Sequence, residues 1–539
     1  MTRAFDPLTL TVFAQQVAMI AEEMGTRLER AAVSPNIRER RDASCAVFDA
    51  AGRLVAQAAH IPVHLGAMPE SVAVVRSRQP EVGDVFLLND PAHGGSHLPD
   101  LTMVEVIGHV HDPARIIGYV AVRAHHADVG GMSPGSMPFA ATELVQEGLI
   151  VPPVRLERRG VLQQDVLDLV LANVRTPSER VGDLRAQRAA CAAGRDAWRD
   201  LMARLGDDVC AEAVDALLDY TERRARAHLA AFEGVHGVCE DALEGDGVDD
   251  APIPIVASVA IRQGALHVDL AGSSGAVRGN VNAPRAVARA AALFVLRVLL
   301  DRDDIPVNDG LARLITLQVP DDCVANAKRP HAVAAGNVEL SQRLTDVLLE
   351  AVRTALAARG VAHAALPAQG QGTMNNLTIG APGWTFYETL GGGQGASVRA
   401  PGPDAVHVGM SNTRNTPVES LEWAYPMRVR TYALRDGSGG AGRHAGGHGV
   451  VREYQPLVAA SLTLLTERRA RAPRGAAGGG DGAPGLNLHD GVPLPAKGRW
   501  RLDADATVRI ETPGGGGDGA AGADSDGPAA NGPAGTRAP

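Results

Sequence analysis

The chain has 539 residues, and 52 lysines and arginines against 62 aspartates and glutamates leave a formal net charge of −10. That length excludes a small peptide, the composition excludes a fibrous protein, and an acidic chain is not a nucleic-acid binder by default. With 61 glycines, 34 prolines and only 3% aromatic residues, the sequence implies many turns and a core built mainly of Ala, Val and Leu.

In chain order, the apolar positions Val12, Phe13, Val17, Ile20, Met24, Leu28 and Ala31 recur at three and four, which predicts an amphipathic helix from Leu8 to about Val33. Ser44 to Phe48 and Leu54 to Gln57 flank the turn at Asp49 to Gly52 and read as a hairpin. A short helix over Met68 to Arg76 and a buried strand over Val85 to Leu88 follow, then a Gly-rich loop from Ala92 to Asp100. Leu101 to Val110 and Ile116 to Arg123 read as a second hairpin that ends in His125, His126 and Asp128. Between Leu162 and Phe232 the pattern turns helical, broken at Gly206. The acidic stretch Glu240 to Asp250 reads as a linker, followed by strands at Ile255 to Ile261, Ala265 to Leu270 and Leu314 to Val319 and helices at Ala283 to Leu300 and Val338 to Arg359.

Short strands and Gly clusters run on to about Thr512, Ala472 to Pro484 reads as a mobile loop, and the Gly/Ala-rich stretch from Pro513 onward reads as disordered. The fold class is therefore mixed α/β (α+β), β-rich with a helical insertion layer and a disordered C-terminal tail. The expected units are an N-terminal α+β unit with a helical layer over 1–240, a central α/β unit over 241–420, a β-rich unit over 421–512 and the tail over 513–539.

Cys45, Cys191, Cys210, Cys239 and Cys323 are odd in number and never form a CxxC pair, which argues against a disulfide framework or a cysteine zinc site and fits a reducing compartment. No apolar run is long enough to span a bilayer, so a cytoplasmic chain with no membrane partner is expected. There is no P-loop motif, and the Gly-rich runs Gly391 to Gly395 and Gly437 to Gly440 match no dinucleotide fingerprint. Those runs read as tight turns, or as backbone that approaches a substrate closely. Gly131 to Gly135 spells GxSxG around Ser133, but Pro134 and Pro138 place it in a loop, where a nucleophile elbow needs a strand before it and a helix after it.

The N-terminal quarter gathers Asp42, His60, His64, Asp90, His93, His97, Asp100, His125, His126 and Asp128. Imidazole and carboxylate hold borderline divalent ions such as Mn, Fe and Zn. His97 and Asp100 sit in a loop stiffened by Pro99, so both can point to one centre. Side chains alternate along a strand, so one of His125 and His126 should face it, and we favour His125. A carboxylate and histidine set acting without metal, and a purely structural cluster, remain the alternatives at this level.

The strings themselves carry a resemblance. Gly52 to Val72, Leu87 to Val104 and Arg123 to Pro138 strongly resemble the B-type subunit of the hydantoinase/oxoprolinase family. So do Asn280 to Ala291, Ala334 to Leu349, Gln369 to Asn376, Tyr387 to Ala396, Asn412 to Glu422, Gly437 to Gly449 and Glu511 to Gly517. The resemblance implies one component of a two-component, ATP-dependent hydrolase of cyclic amides such as 5-oxoproline or a hydantoin, with a ketone carboxylase subunit or a non-catalytic scaffold as alternatives. It implies a hetero-oligomer with an A-type subunit of actin-like ATPase fold, where ATP-Mg binds and the substrate is phosphorylated.

It further implies a divalent metal (Mn, Fe or Zn) on Asp42, His97, Asp100 and His125, with His126 as the fallback, and His97, Asp100, His125 and Asp128 as the catalytic set. Gly392, Gly393, Asn412 and Arg414 are implied substrate contacts, with Glu339, Gln342 and Arg343 as further candidates for substrate or partner contacts. The chain departs from the family pattern at Ala92, where an aromatic is usual, around Pro473 to Gly480, and past Gly517.

Overall fold

Asp6 and Pro7 start the first helix as the sequence pattern requires. Asp6 accepts hydrogen bonds from the amides of Leu8 and Thr9, both at 3.0 Å, and Pro7 has no amide to satisfy. The structure, a computed structural model, describes residues 5–59, 61–112, 114–361 and 365–522. The first helix, α1 (Pro7–Ala31), buries Phe13, Val17, Ile20, Met24 and Leu28. It is followed by α2 (Pro35–Arg38), β1 (Ala43–Asp49), β2 (Leu54–Ala59), α3 (Met68–Ser77), β3 (Val85–Leu88), β4 (Asp100–Gly108), β5 (Ile116–His125), β6 (Val154–Arg158) and β7 (Val161–Leu162). These strands make one antiparallel sheet in the order β2-β1-β5-β4-β3-β6-β7.

The helical layer is α4 (Gln164–Ala172), α5 (Pro177–Leu205) and α6 (Asp207–Leu229). Even-numbered residues of β5, Val120, Val122 and Ala124, pack with α1 and α5, and odd-numbered Tyr119 and Ala121 pack with Met68, Val72 and Val75 of α3. The central sheet therefore has a wide helical face and a narrower face under α3, and the period of two decides which side chain joins which.

The second sheet, β8 (His236–Leu243), β9 (Ile253–Arg262), β10 (Ala265–Asp269) and β11 (Ile315–Gln318), has the order β11-β10-β9-β8. The long helix α7 (Arg285–Leu300), the single turn α8 (Asp309–Ala312) and α9 (Ser341–Ala357) intervene or follow, and α7 and α9 share the largest hydrophobic core with this sheet. That core reaches back to Ile61, Val63 and Leu65 and forward to Leu465, so it joins segments from three of the units expected from sequence.

The C-terminal part supplies β12 (Asn376–Ala381), β13 (Trp384–Glu388), α10 (Val418–Ala424), β14 (Met427–Arg435), β15 (Gly449–Pro456), β16 (Ala460–Leu465), β17 (Leu486–His489), β18 (Val492–Pro493), β19 (Lys497–Leu502) and β20 (Val508–Glu511). They form two sheets, β13-β12-β16-β19 and β14-β15-β20-β17-β18, over a third core around Phe386, Tyr454, Leu462 and Ile510.

Three sequence expectations are corrected. The linker expected at Glu240 to Asp250 begins inside β8, and the buried Asp246 accepts from the Gly279 amide at 2.7 Å. Asp241 and Asp246 are buried internal partners, while Glu240, Asp249 and Asp250 stay exposed. The tail expected from Pro513 is buried through Asp518, and residues 523–539 lie outside the described residues. The loop expected to be mobile at Ala472 to Pro484 packs on that same segment, through Ala476 N to Gly517 O at 2.8 Å and Gly517 N to Gly480 O at 2.9 Å.

Apart from the turn at Gly437 after β14, the glycine runs are not tight turns between strands. Gly393 N bonds Pro513 O at 3.0 Å, Gly515 N bonds Gly447 O at 2.9 Å, and Gly440 N bonds Gly515 O at 2.9 Å, so four glycine segments lie backbone on backbone. A methyl group on Gly393 would overlap Gly447 O and Gly515 N, which is why no side chain fits there.

Candidate metal centre

The pairing of β4 with β5 sets Asp100 directly opposite His125. Both lie on the α3 side of the sheet by strand parity, beyond the apolar residues of that face, and the preceding loop brings His97 in over them. Gly94 has φ 85° and Gly95 lies so close to Asn89 O and Asp90 that a methyl group on it would overlap the backbone, so the HGG sequence lets the loop fold tightly against its own start. His97, Asp100 and His125 are all buried, and one ligand atom from each lies within 4.8 Å of the others.

His97 Nε2 is 2.9 Å from Asp100 Oδ1, and His125 Nδ1 is 3.2 Å from the same oxygen. His64 Nε2 lies 3.4 Å from Asp100 Oδ2, while its Nδ1 is 3.0 Å from Ser44 Oγ. Ser96 Oγ and Asn337 Nδ2 also donate to Oδ2. A single buried carboxylate thus faces three imidazoles.

The electrostatics follow from this crowding. Burial alone would raise Asp100, but the charge of His97 and hydrogen bonds from His125, His64 and His97 hold it well below the usual carboxylate range. Burial would lower His97, but the Asp100 charge outweighs it and the ring is raised. His125 is lowered, chiefly by burial. Its ring stacks on Tyr387 at 4.3 Å between centroids, and the Arg40 guanidinium lies 5.3 Å from the other partner of that stack, the Tyr387 ring.

A cavity of about 10 Å³, room for a single water or ion, is lined by Asp42, His64, His97, Asp100, His125 and Tyr387 among others. The residues fit a divalent transition ion. Two imidazoles and a carboxylate converge, His125 Nε2 is buried without a partner, and the far nitrogen of His97 is already engaged, Nδ1 being 3.2 Å from Ala334 O.

The other sequence candidates fall elsewhere. Asp42 lines the cavity, but its carboxylate is not one of the three groups that converge. His126 is even-numbered, so it turns to the helical face, where Nε2 lies 2.9 Å from Gln187 Oε1 of α5. Asp128 does not face the cavity. It holds a turn by accepting from Gly130 N and Gly135 N and pairs with Arg175 at 2.8 Å. Gly392 and Gly393 sit in the glycine layers. Arg414 is exposed, with its backbone bonded to Arg40, and Asn412 is exposed.

Gln342 donates to Val408 O, and Arg343 is buried between Asp241 and Glu467. Glu339 is buried, and burial and the neighbouring Glu467 push it up to about 8. His60 lies outside the described residues, and His93 pairs with Asp90 at 2.7 Å. Ser133 opens a short 3-10 turn over Pro134–Ser136, with no strand-to-helix elbow. Sequence reasoning passed over Ser96, Asn337 and Tyr387. Only Ser96, beside His97, carried a local signal, because the others arrive from more than 200 positions away.

Fold and site together define a multi-sheet α/β protein with a buried imidazole–carboxylate centre. The chain belongs to the hydantoinase B/oxoprolinase family, whose model matches residues 6–521. It is 36% identical to a 5-oxoprolinase of Dictyostelium discoideum over 96% of this chain and 40% of that protein, so it spans well under half of that relative. It is 30% identical to a protein of Pseudomonas sp. (strain NS671) named as the B-type component of a D-/L-hydantoinase, over 96% of this chain and 90% of that one. The solved ATP-dependent caprolactamase from Pseudomonas jessenii superposes with a TM-score of 0.87 at 27% identity, covering 96% of this chain and 92% of that chain. An acetone carboxylase shares the fold, with a TM-score of 0.84 at 17% identity over 95% of this chain and 76% of that one.

Proposed function

We propose that this chain is the B-type component of a two-component, ATP-dependent cyclic amide hydrolase, and that His97, Asp100 and His125 hold its divalent metal. The convergence of these three side chains in a buried cavity carries the reading. An unstrained lactam resists hydrolysis because of amide resonance, and phosphorylation of the amide oxygen would weaken it. The chain lacks a P-loop, one relative is named as a B-type component and another is a much longer 5-oxoprolinase. These facts support assigning the nucleotide to an A-type partner of actin-like ATPase fold in a hetero-oligomer.

A bound divalent ion supplies Lewis acidity toward a carbonyl or a water. Around it, His64 links Asp100 to the Ser44 hydroxyl and so can accept or release a proton at Nδ1. Tyr387 covers one face of His125 and keeps bulk water off the ring. The cavity holds no more than a water or an ion, so a lactam enters only when lining side chains such as Ile61, Val63 and Met374 move aside.

The test is elemental analysis of the wild type beside His97→Ala and Asp100→Ala, each assayed with an A-type partner, ATP and 5-oxoproline, a hydantoin or caprolactam. Near-stoichiometric metal in the wild type, lost in both variants together with lactam hydrolysis, is the expected result. A metal-free wild type whose variants hydrolyse normally would refute the centre.

A further inference from the structure

Glu147 is fully buried in the turn that follows the short helical segment Leu144–Gln146. Both of its carboxylate oxygens are spent on one stretch of backbone: Val333 N donates to Oε1 and Oε2 at 3.0 and 3.1 Å, and Ala334 N donates to Oε1 at 2.8 Å. The carbonyl of that same Ala334 lies 3.2 Å from His97 Nδ1. The turn is tied to this stretch at a second point, since Leu144 N bonds Pro330 O at 2.8 Å.

We propose that Glu147 is a positioning residue for the metal centre: it clamps the 333–334 backbone so that the Ala334 carbonyl accepts a hydrogen bond from Nδ1 of His97, leaving Nε2 as the nitrogen presented to a metal beside Asp100. This inference rests on the metal centre described above.

The chemistry favours this arrangement. A neutral imidazole has one proton and two nitrogens, and a metal ligand must keep the coordinating nitrogen bare, so a fixed acceptor on the far nitrogen selects the tautomer and sets the ring plane. A carbonyl in a loop is a poor anchor unless its peptide cannot rotate. Amide hydrogen bonds from two successive residues to one carboxylate, at and before that carbonyl, hold it. Burial raises the Glu147 carboxyl to about 8, against the backbone amides and the nearby His97, which favour the ionised form. No ion-pair partner for Glu147 is found among the described residues, so its work is done on the backbone.

The decisive variant is Glu147→Gln, which keeps the volume but turns an amide NH2 toward donors. Glu105→Gln is the control, because Glu105 is equally buried on β4 but pairs with Arg188 and Arg195 away from the centre. Titration with Mn2+ or Zn2+ should show about a 10–100-fold loss of affinity in Glu147→Gln and none in Glu105→Gln, with both chains folded by circular dichroism. In the Zn2+-loaded chain, 15N NMR of the labelled histidines should show His97 protonated at Nδ1 in the wild type, and in Glu147→Gln that N–H should exchange faster with water because its carbonyl partner is no longer fixed.

Unchanged affinity and unchanged exchange of the His97 Nδ1–H overturn the proposal, as does an equal loss in Glu105→Gln. If the wild type binds no metal, the centre itself fails and the role of Glu147 fails with it, whereas a wild type that binds metal beside an unaffected Glu147→Gln overturns the role of Glu147 alone. Should Glu147→Gln not fold, Glu147→Asp, which keeps the carboxyl group one methylene short, is read by the same two measurements.

Discussion

His125 and His126 are adjacent in the chain and serve opposite faces of a sheet. That division was legible in the sequence, because a strand alternates and only one of two neighbours can face a given side. The partners were not legible: Gln187, Asn337 and Glu147 reach the site and its flanks from remote segments, and local patterns carry no record of such contacts. His126 has a measurable consequence. Burial, then the charge of Arg180, pushes its pKa down to about 4, against about 6.5 for a free histidine, so the folded chain keeps it neutral while the unfolded chain protonates first. Its contribution to stability is intact above about pH 6.5 and is lost progressively as the pH falls toward 4. Urea midpoints at pH 7 and pH 5 should therefore fall further apart in the wild type than in His126→Gln. The same variant should retain the metal that His97→Ala loses. A variant that loses its metal as completely as His97→Ala would move His126 into the centre.

Elements were easier to read than their junctions. The first helix, both N-terminal hairpins and the helical layer follow their periodicities closely. The helix expected from Val338 instead starts at Ser341, after a wider π turn over Gly336–Leu340 that places Asn337 at Asp100. The acidic run at 240 misled because carboxylates usually mark solvent, and here Asp241 answers cations from other elements while Glu244 and Asp246 accept from backbone amides. Asp241 on β8 lies 2.9 Å from Arg343 of α9 and 3.0 Å from Arg468, with all three buried. Burial would raise its pKa, but Arg343 and Arg468 pull it far below the carboxylate range. The stability it adds is present above about pH 4 and is lost as the pH falls below that value. Asp241→Asn leaves two buried guanidiniums short of a counter-charge and should cost about 3–5 kcal/mol, read as a large drop in the denaturant midpoint at pH 7. A drop of under about 1 kcal/mol would mean that Asp346 and Glu467 suffice for the two arginines.

At the scale of the whole molecule, composition pointed the wrong way over residues 513–518. A Gly-rich stretch without large side chains buries little apolar surface, which is the usual signature of a chain that does not order. Here the small size of glycine is itself the packing device: residues 513–518 run between the 393–395, 440–447 and 475–482 segments, and main-chain hydrogen bonds replace side-chain contacts. Gly516 N bonds Gln369 O at 2.8 Å and Gly393 N bonds Pro513 O at 3.0 Å, so this strip ties together segments that precede it by more than a hundred residues. Such a strip tolerates no added carbon, and a methyl group on Gly515 would overlap the Gln394 backbone. Gly515→Ala should therefore destabilise by about 3 kcal/mol or more, at the upper end for a single substitution, although it leaves hydrophobic burial unchanged. Ending the chain after Thr512 should do more, leaving the buried edges of three glycine segments without partners and opening Gly391 to Gly395 to proteolysis. If that shortened chain melts within a degree or two of the full one and resists protease equally, the glycine layers are an ornament on a fold held elsewhere, and the C-terminal sheets must be stable through their own core at Phe386, Tyr454 and Ile510.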